Sequence, residues 1–88
     1  MKVQFTKTFY KQLDDIKDKT LLLKLSSAVK MVMAAKTSQN ISNIKKLKGH
    51  PTAFRIKIGN YRVGLFIEND EVLFTCFYHR KDIYSRFP

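Results

Sequence analysis

The stretch Phe54-Arg55-Ile56-Lys57-Ile58-Gly59-Asn60-Tyr61-Arg62-Val63-Gly64-Leu65 constrains the fold more than any other part of the chain. Phe54, Ile56 and Ile58 alternate with Arg55 and Lys57, the period-two signature of a strand with one buried face. Gly59-Asn60 supplies the centre of a tight turn, and both residues tolerate the positive φ that a two-residue hairpin requires. The return strand starts at Tyr61 and carries Val63, Leu65 and Ile67 on one face. Pairing around this turn sets Lys57 opposite Arg62 and Arg55 opposite Gly64. The apolar residues then share one face and three cations share the other. Like charges directly opposed destabilise a sheet, so their clustering marks an anion site, with phosphate as the natural ligand. Gly64 leaves that face bare of a side chain and open to a close approach.

The rest of the chain supplies the layer that covers the apolar face. Lys2 to Thr6 alternates as a first strand, with Val3 and Phe5 inward. Thr6 or Thr8 caps a short helix whose Phe9, Leu13 and Ile16 share one side. Asp18 or Thr20 caps a second helix reaching about Lys36, with Leu21, Leu25, Ala28, Val32 and Ala35 on its inner face. Thr37 to Pro51 reads as a surface connection with one turn of helix around Ile41 to Leu47. Glu68 to Glu71 is a second turn, and Val72 to Tyr78 is apolar throughout, as a central strand covered on both faces would be. The expected fold is α+β, in the order β-α-α-β-β-β. A helical hairpin packs on one face of a largely antiparallel four-stranded sheet.

The chain has 88 residues, which accommodates one domain, 1-88, with one core. A 44% hydrophobic content excludes outright disorder. The net charge is +10 and is spread over both halves, and Lys45 to Arg62 contains no acid at all. Such a domain is built to meet a polyanion, either nucleic acid or an acidic protein. No segment has the apolar length of a membrane helix, and the polar-interrupted N-terminus is not that of a signal peptide. The single cysteine, Cys76, excludes an internal disulfide and fits a reducing, cytoplasmic setting.

The C-terminal run Tyr78-His79-Arg80-Lys81-Asp82-Ile83-Tyr84 places a proton carrier, two cations and two phenols close together. His79 can carry a proton, Arg80 can fork onto a phosphate and Tyr84 can stack on a base. Two registers are open for the last hairpin. A loop centred on Asn69-Asp70 sets Arg62 opposite Phe77 and turns the even-numbered residues toward the core. A three-residue loop, or a bulge near Tyr78, brings Arg80 onto the cationic face instead. No Cys/His pair has metal-ligand spacing and no glycine-rich phosphate loop appears. A nuclease on this scaffold would act on RNA. The 2′-OH supplies the nucleophile, and the protein has only to move protons and stabilise the crowded phosphate.

Taken together, Leu47-Lys48-Gly49, Ala53 to Val63 and His79-Arg80-Lys81-Asp82-Ile83-Tyr84 resemble the RelE/ParE superfamily of toxins over essentially the whole chain. These are the toxin halves of type II toxin–antitoxin pairs. The resemblance to the RelE branch implies a ribosome-dependent endonuclease that cleaves mRNA through the 2′-OH, without a metal or other cofactor. It also implies an acidic cognate antitoxin as partner. By position, it implies site roles for Arg55 and Lys57 on the first hairpin strand, Arg62 after the turn, Arg80 near the end of the last strand and Tyr84 as the base-stacking group. His79 is similar in place to the acid–base histidine of the related YoeB toxins. Lys45, Lys46, Lys48 and Lys81 are the expected substrate-binding cations. The ParE branch shares the fold but poisons gyrase and lacks the nuclease constellation, so the cation set favours the RelE branch. A basic nucleic-acid-binding module is the third reading.

Overall fold

The central hairpin forms as its alternation dictates. The structure is a computed structural model describing residues 1–88. Strand β1 (Lys2–Phe5) leads into helices α1 (Lys7–Asp14) and α2 (Lys19–Ala34). Strands β2 (Ile44–Lys46), β3 (Ala53–Ile58), β4 (Tyr61–Glu68) and β5 (Glu71–His79) follow, and the chain closes with a single helical turn, α3 (Ile83–Arg86). Gly59 adopts φ 58° in the β3–β4 turn, while Asn69 and Asp70 adopt φ 50° and 63° in the β4–β5 turn. The α+β class and the helical hairpin on one sheet face are as expected.

The sheet has five strands rather than four, in the order β1-β5-β4-β3-β2, with β1 parallel to β5 and the other pairs antiparallel. The extra strand, β2, lies where a helical turn was expected; only a short 3-10 turn, Ser38–Asn40, precedes it. The reason is the free edge of β3. Lys57 donates its N–H to Asn43 O at 3.0 Å, and Leu47 N–H reaches Ala53 O at 2.9 Å. Backbone groups of β3 that a surface helix would leave unpaired are satisfied this way. Ile41 and Leu47, at either end, are both buried.

Thr6 caps α1 by accepting from Phe9 N–H, and Asp18 caps α2 by accepting from Thr20 and Leu21 N–H. The helix ends at Ala34, and Ala35, though outside it, is buried. Phe9, Leu25, Ala28 and Val32 close over Ile56, Val63, Leu65 and Phe74 to form the main core.

A bulge in β5 decides what the sheet presents. Leu65 pairs with Phe74, but Gly64 pairs with Cys76, leaving Thr75 as the extra residue. Phe74 and Phe77 both enter the main core. Residues three apart cannot share a face of a regular strand, so one residue has to be looped out. Beyond the end of β1, side chains complete the ladder of β5. Thr6 donates its hydroxyl to Thr75 O at 2.6 Å. Gln12 donates from Nε2 to Phe77 O at 2.6 Å and accepts from Phe77 N–H at 2.8 Å.

The other sheet face was expected to be open, yet it carries a second small core of Leu47, Ala53, Cys76, Ile83 and Phe87. The C-terminal turn lies across it. Its one helical turn, α3, runs through Tyr84. The space left by Gly64 is filled by the chain's own Phe87, since a Cβ on Gly64 would fall 2.6 Å from Phe87 Cγ.

Candidate functional site

Two rows of side chains cross the face beneath the C-terminal turn. Lys45, Arg55, Gly64 and Cys76 pair successively across β2, β3, β4 and β5. One step along, Lys57 faces Arg62 and Arg62 faces Tyr78. Directly paired residues share a face, so Lys45, Arg55, Lys57 and Arg62 form one cationic surface, with no acid between Lys45 and Arg62 in the chain.

Tyr84 completes this surface. It is 71% exposed, and Arg55 Cζ lies 4.6 Å from the centroid of its ring. Hydrogen bonding and positive charge from Arg55 lower the phenol pKa below its ordinary value, with Arg62 and Lys45 adding weaker pulls. Arg62 is held from behind. Its Nη1 donates to Gly59 O at 2.9 Å and to Tyr61 O at 2.8 Å. These bonds fix the guanidinium at the turn while its other N–H groups remain free to bind an anion. Fixed cations, a stacking ring and an acidified phenol on one face suit a phosphodiester next to an unpaired base.

The bulge sorts the remaining candidates. Without it, His79 would share the face of Arg62. With it, His79 pairs with Tyr61 on the helical side of the sheet and meets the Tyr61 ring edge-on at 5.4 Å. Its Nδ1 accepts from Lys81 N–H at 3.2 Å. The structure therefore does not bring His79 to the cations. Arg80, one step beyond β5, follows the alternation of Cys76 and Tyr78 onto the cationic face, and its N–H is anchored to Asn60 O at 2.8 Å. Lys45 joins the cation row. Lys46 pairs with Phe54 and so belongs to the opposite face. Lys48 lies with His50 in the loop after β2, and Lys81 is exposed in the turn before α3.

Sequence reasoning missed the socket that holds Tyr84. Its signal was present in Ile83 and Phe87, an apolar pair four apart on either side of Tyr84. A groove of about 480 Å³ between α2 and β3, lined by Leu23, Lys24, Met31, Ile56 and Ile58 among others, lies on the helical side. A polymeric substrate is better served by the shallow cationic face, where the charges converge.

No protein-family profile matches the chain. Toxin RelE3 of Methanocaldococcus jannaschii is 36% identical over the full length of both chains. The chain belongs to the RelE toxin family. The fold of this RelE-family chain superimposes on the RelB–RelE antitoxin–toxin complex from Methanococcus jannaschii with a TM-score of 0.78 and 32% identity, covering 96% of this chain and 98% of that one. The archaeal RelE–RelB complex from Pyrococcus horikoshii gives 0.73 at 17% identity, covering 90% and 93%. The YoeB dimer from Staphylococcus aureus gives 0.73 at 12%, covering 90% and 95%. These last two show the fold alone.

Proposed function

We propose that this RelE-family domain, residues 1–88, is a ribosome-dependent mRNA endonuclease of the cytoplasm that inhibits translation. The observation that carries this reading is the convergence of Lys45, Arg55, Lys57 and Arg62 beneath the acidified phenol of Tyr84 on one sheet face. Cleavage at a phosphodiester asks for three things: removal of the 2′-OH proton, stabilisation of charge on the phosphorane oxygens, and a proton for the leaving 5′-oxygen. Arg62, fixed at the turn, and Arg55 and Lys57 face the phosphate and hold the developing charge. Tyr84 stacks on the adjoining base, and its lowered pKa suits the phenol to exchange a proton nearby. Arg80 adds a further cation beside this surface. The reaction uses the substrate's own hydroxyl as nucleophile and requires no metal-bound water.

The partner is a cognate antitoxin, as in the RelB–RelE complex that the fold resembles at 32% identity. A domain of charge +10 favours an acidic one, with complementary charge speeding association. The test is purified toxin added to ribosomes translating a defined mRNA. Cuts within the codon at the A site, ending in 2′,3′-cyclic phosphate or its hydrolysis product, are expected. Ends bearing a 3′-hydroxyl would refute the 2′-OH mechanism. Intact mRNA together with stalled gyrase would refute the nuclease reading altogether.

A further inference from the structure

The C-terminal turn is too short to hold its own shape. Four helical residues lie below the length at which an isolated helix is stable, so its place depends on what it grips. Two side chains provide that grip. Ile83 is fully buried and Phe87 is 5% exposed, and Phe87 N–H closes the turn on Ile83 O at 2.9 Å. The Phe87 ring lies flat on the backbone of Gly64. A Cβ there would meet three ring atoms at 2.6 to 2.8 Å, so any residue larger than glycine would lift the ring. The ring also packs against Phe66, with centroids 5.2 Å apart. Gly64 is also the residue directly opposite Arg55. The anchor and the cation that Tyr84 covers are therefore neighbours on one ladder.

Tyr84 lies between the two anchors and is itself exposed. The Arg55 guanidinium lies over its ring. The residue is 71% exposed, so little else covers the ring. Its location is inherited from Ile83 and Phe87. Arg86 adds a weaker strap, its guanidinium 5.8 Å from the Tyr78 ring.

We propose that Phe87, seated on the bare backbone of Gly64, is a positioning residue that clamps the C-terminal turn and presents Tyr84 to the cationic face beside Arg55. Its consequence for turnover rests on the nuclease reading above. Its consequence for the place of Tyr84 does not. Phe87 touches neither substrate nor the reacting atoms and acts only through Tyr84.

Three measurements on Phe87→Ala and Gly64→Ala test this. The first is the Tyr84 phenol titration, taken as the ultraviolet difference between each protein and its Tyr84→Phe counterpart. The second is the rate at which a disulfide reagent labels Cys76, which lies beneath the turn. The third is cleavage on translating ribosomes, resolved into kcat and KM. Opening the clamp is expected to return the Tyr84 titration toward that of a free phenol and to speed Cys76 labelling several-fold. It should cut kcat by about 100-fold, as for other angstrom-scale misplacements. Phe87→Leu, which keeps an apolar plug, should restore most of each readout, and Gly64→Ala, which lifts the ring, serves in place of Phe87→Ala if that variant does not fold. An unchanged Tyr84 titration in folded Phe87→Ala would overturn the proposal. So would full cleavage by a variant whose Tyr84 has been released. If the wild type does not cleave mRNA at all, the nuclease reading falls, and the titration and labelling still decide whether Phe87 places Tyr84.

Discussion

Arg62→Ala separates function from stability most cleanly. The arginine donates to Gly59 O and Tyr61 O, and each such bond contributes roughly 0.5–1.5 kcal/mol. Both carbonyls lie at a turn where water can replace the lost donor, which favours the low end of that range. Against this, Arg62 lies directly opposite Lys57, and removing one of two opposed like charges relieves some tenths of a kcal/mol. The net loss is about 1 kcal/mol, or roughly 4–8 °C in Tm for a domain of this size. The loss in activity is far larger. One preorganised charge-stabilising donor is worth ~2.7–4 kcal/mol in the transition state, or about 100- to 1,000-fold in kcat. Thermal unfolding by circular dichroism and mRNA cleavage on translating ribosomes measure the two effects independently. Arg62→Lys should recover stability incompletely, because one ammonium cannot replace the fork that grips the turn. A folded Arg62→Ala protein that cleaves mRNA or arrests growth like the wild type would refute the site. A Tm collapse of tens of degrees would refute the reasoning about its role in the fold.

Four further outcomes follow from particular contacts. Gln12→Ala should cost ~2–3 kcal/mol, read by denaturant unfolding, because it removes both bonds to the Phe77 peptide and leaves that part-buried N–H and C=O without partners. Arg55→Leu should raise the Tyr84 titration toward ~10. Because the folded phenol pKa is depressed, its contribution is present above the unfolded value and fades as pH falls through the folded one, so any difference in stability between the two proteins should appear at alkaline pH. Burial pushes the Cys76 thiol up to about 11. The unfolded chain therefore loses this proton first, and stability should fall as pH rises between about 9 and 11, less so in Cys76→Ala. His79→Ala should leave cleavage close to wild type, since His79 lies across the sheet from the cations; a large loss in kcat would restore a chemical role for it.

Much of the fold was legible because local periodicity reports directly on burial. The alternation of Phe54, Ile56 and Ile58 with Arg55 and Lys57, and the turn at Gly59-Asn60, were enough to set Lys57 against Arg62 and Arg55 against Gly64, and the ladder has those pairs. The helix starts were local properties too, narrowed to Thr6 or Thr8 and to Asp18 or Thr20, of which Thr6 and Asp18 form the caps, whereas Ile16 and Ala35 fall beyond the ends of their helices. What the sequence by itself determined was therefore the hairpin, its register and the cations on one of its faces. Three features were decided only in the tertiary structure. Strand β2 exists because β3 offers an unpaired edge, which is a property of the assembled sheet. Gly64 reads as an opening until Phe87, more than twenty positions away, comes to rest on it. The bulge at Thr75 exists because Phe74 and Phe77 must both reach the core beneath the helices. That single extra residue shifts the alternation of the strand end by one. It carries Arg80 to the cationic face and turns His79 away, a choice between two registers that only packing against α1 could make.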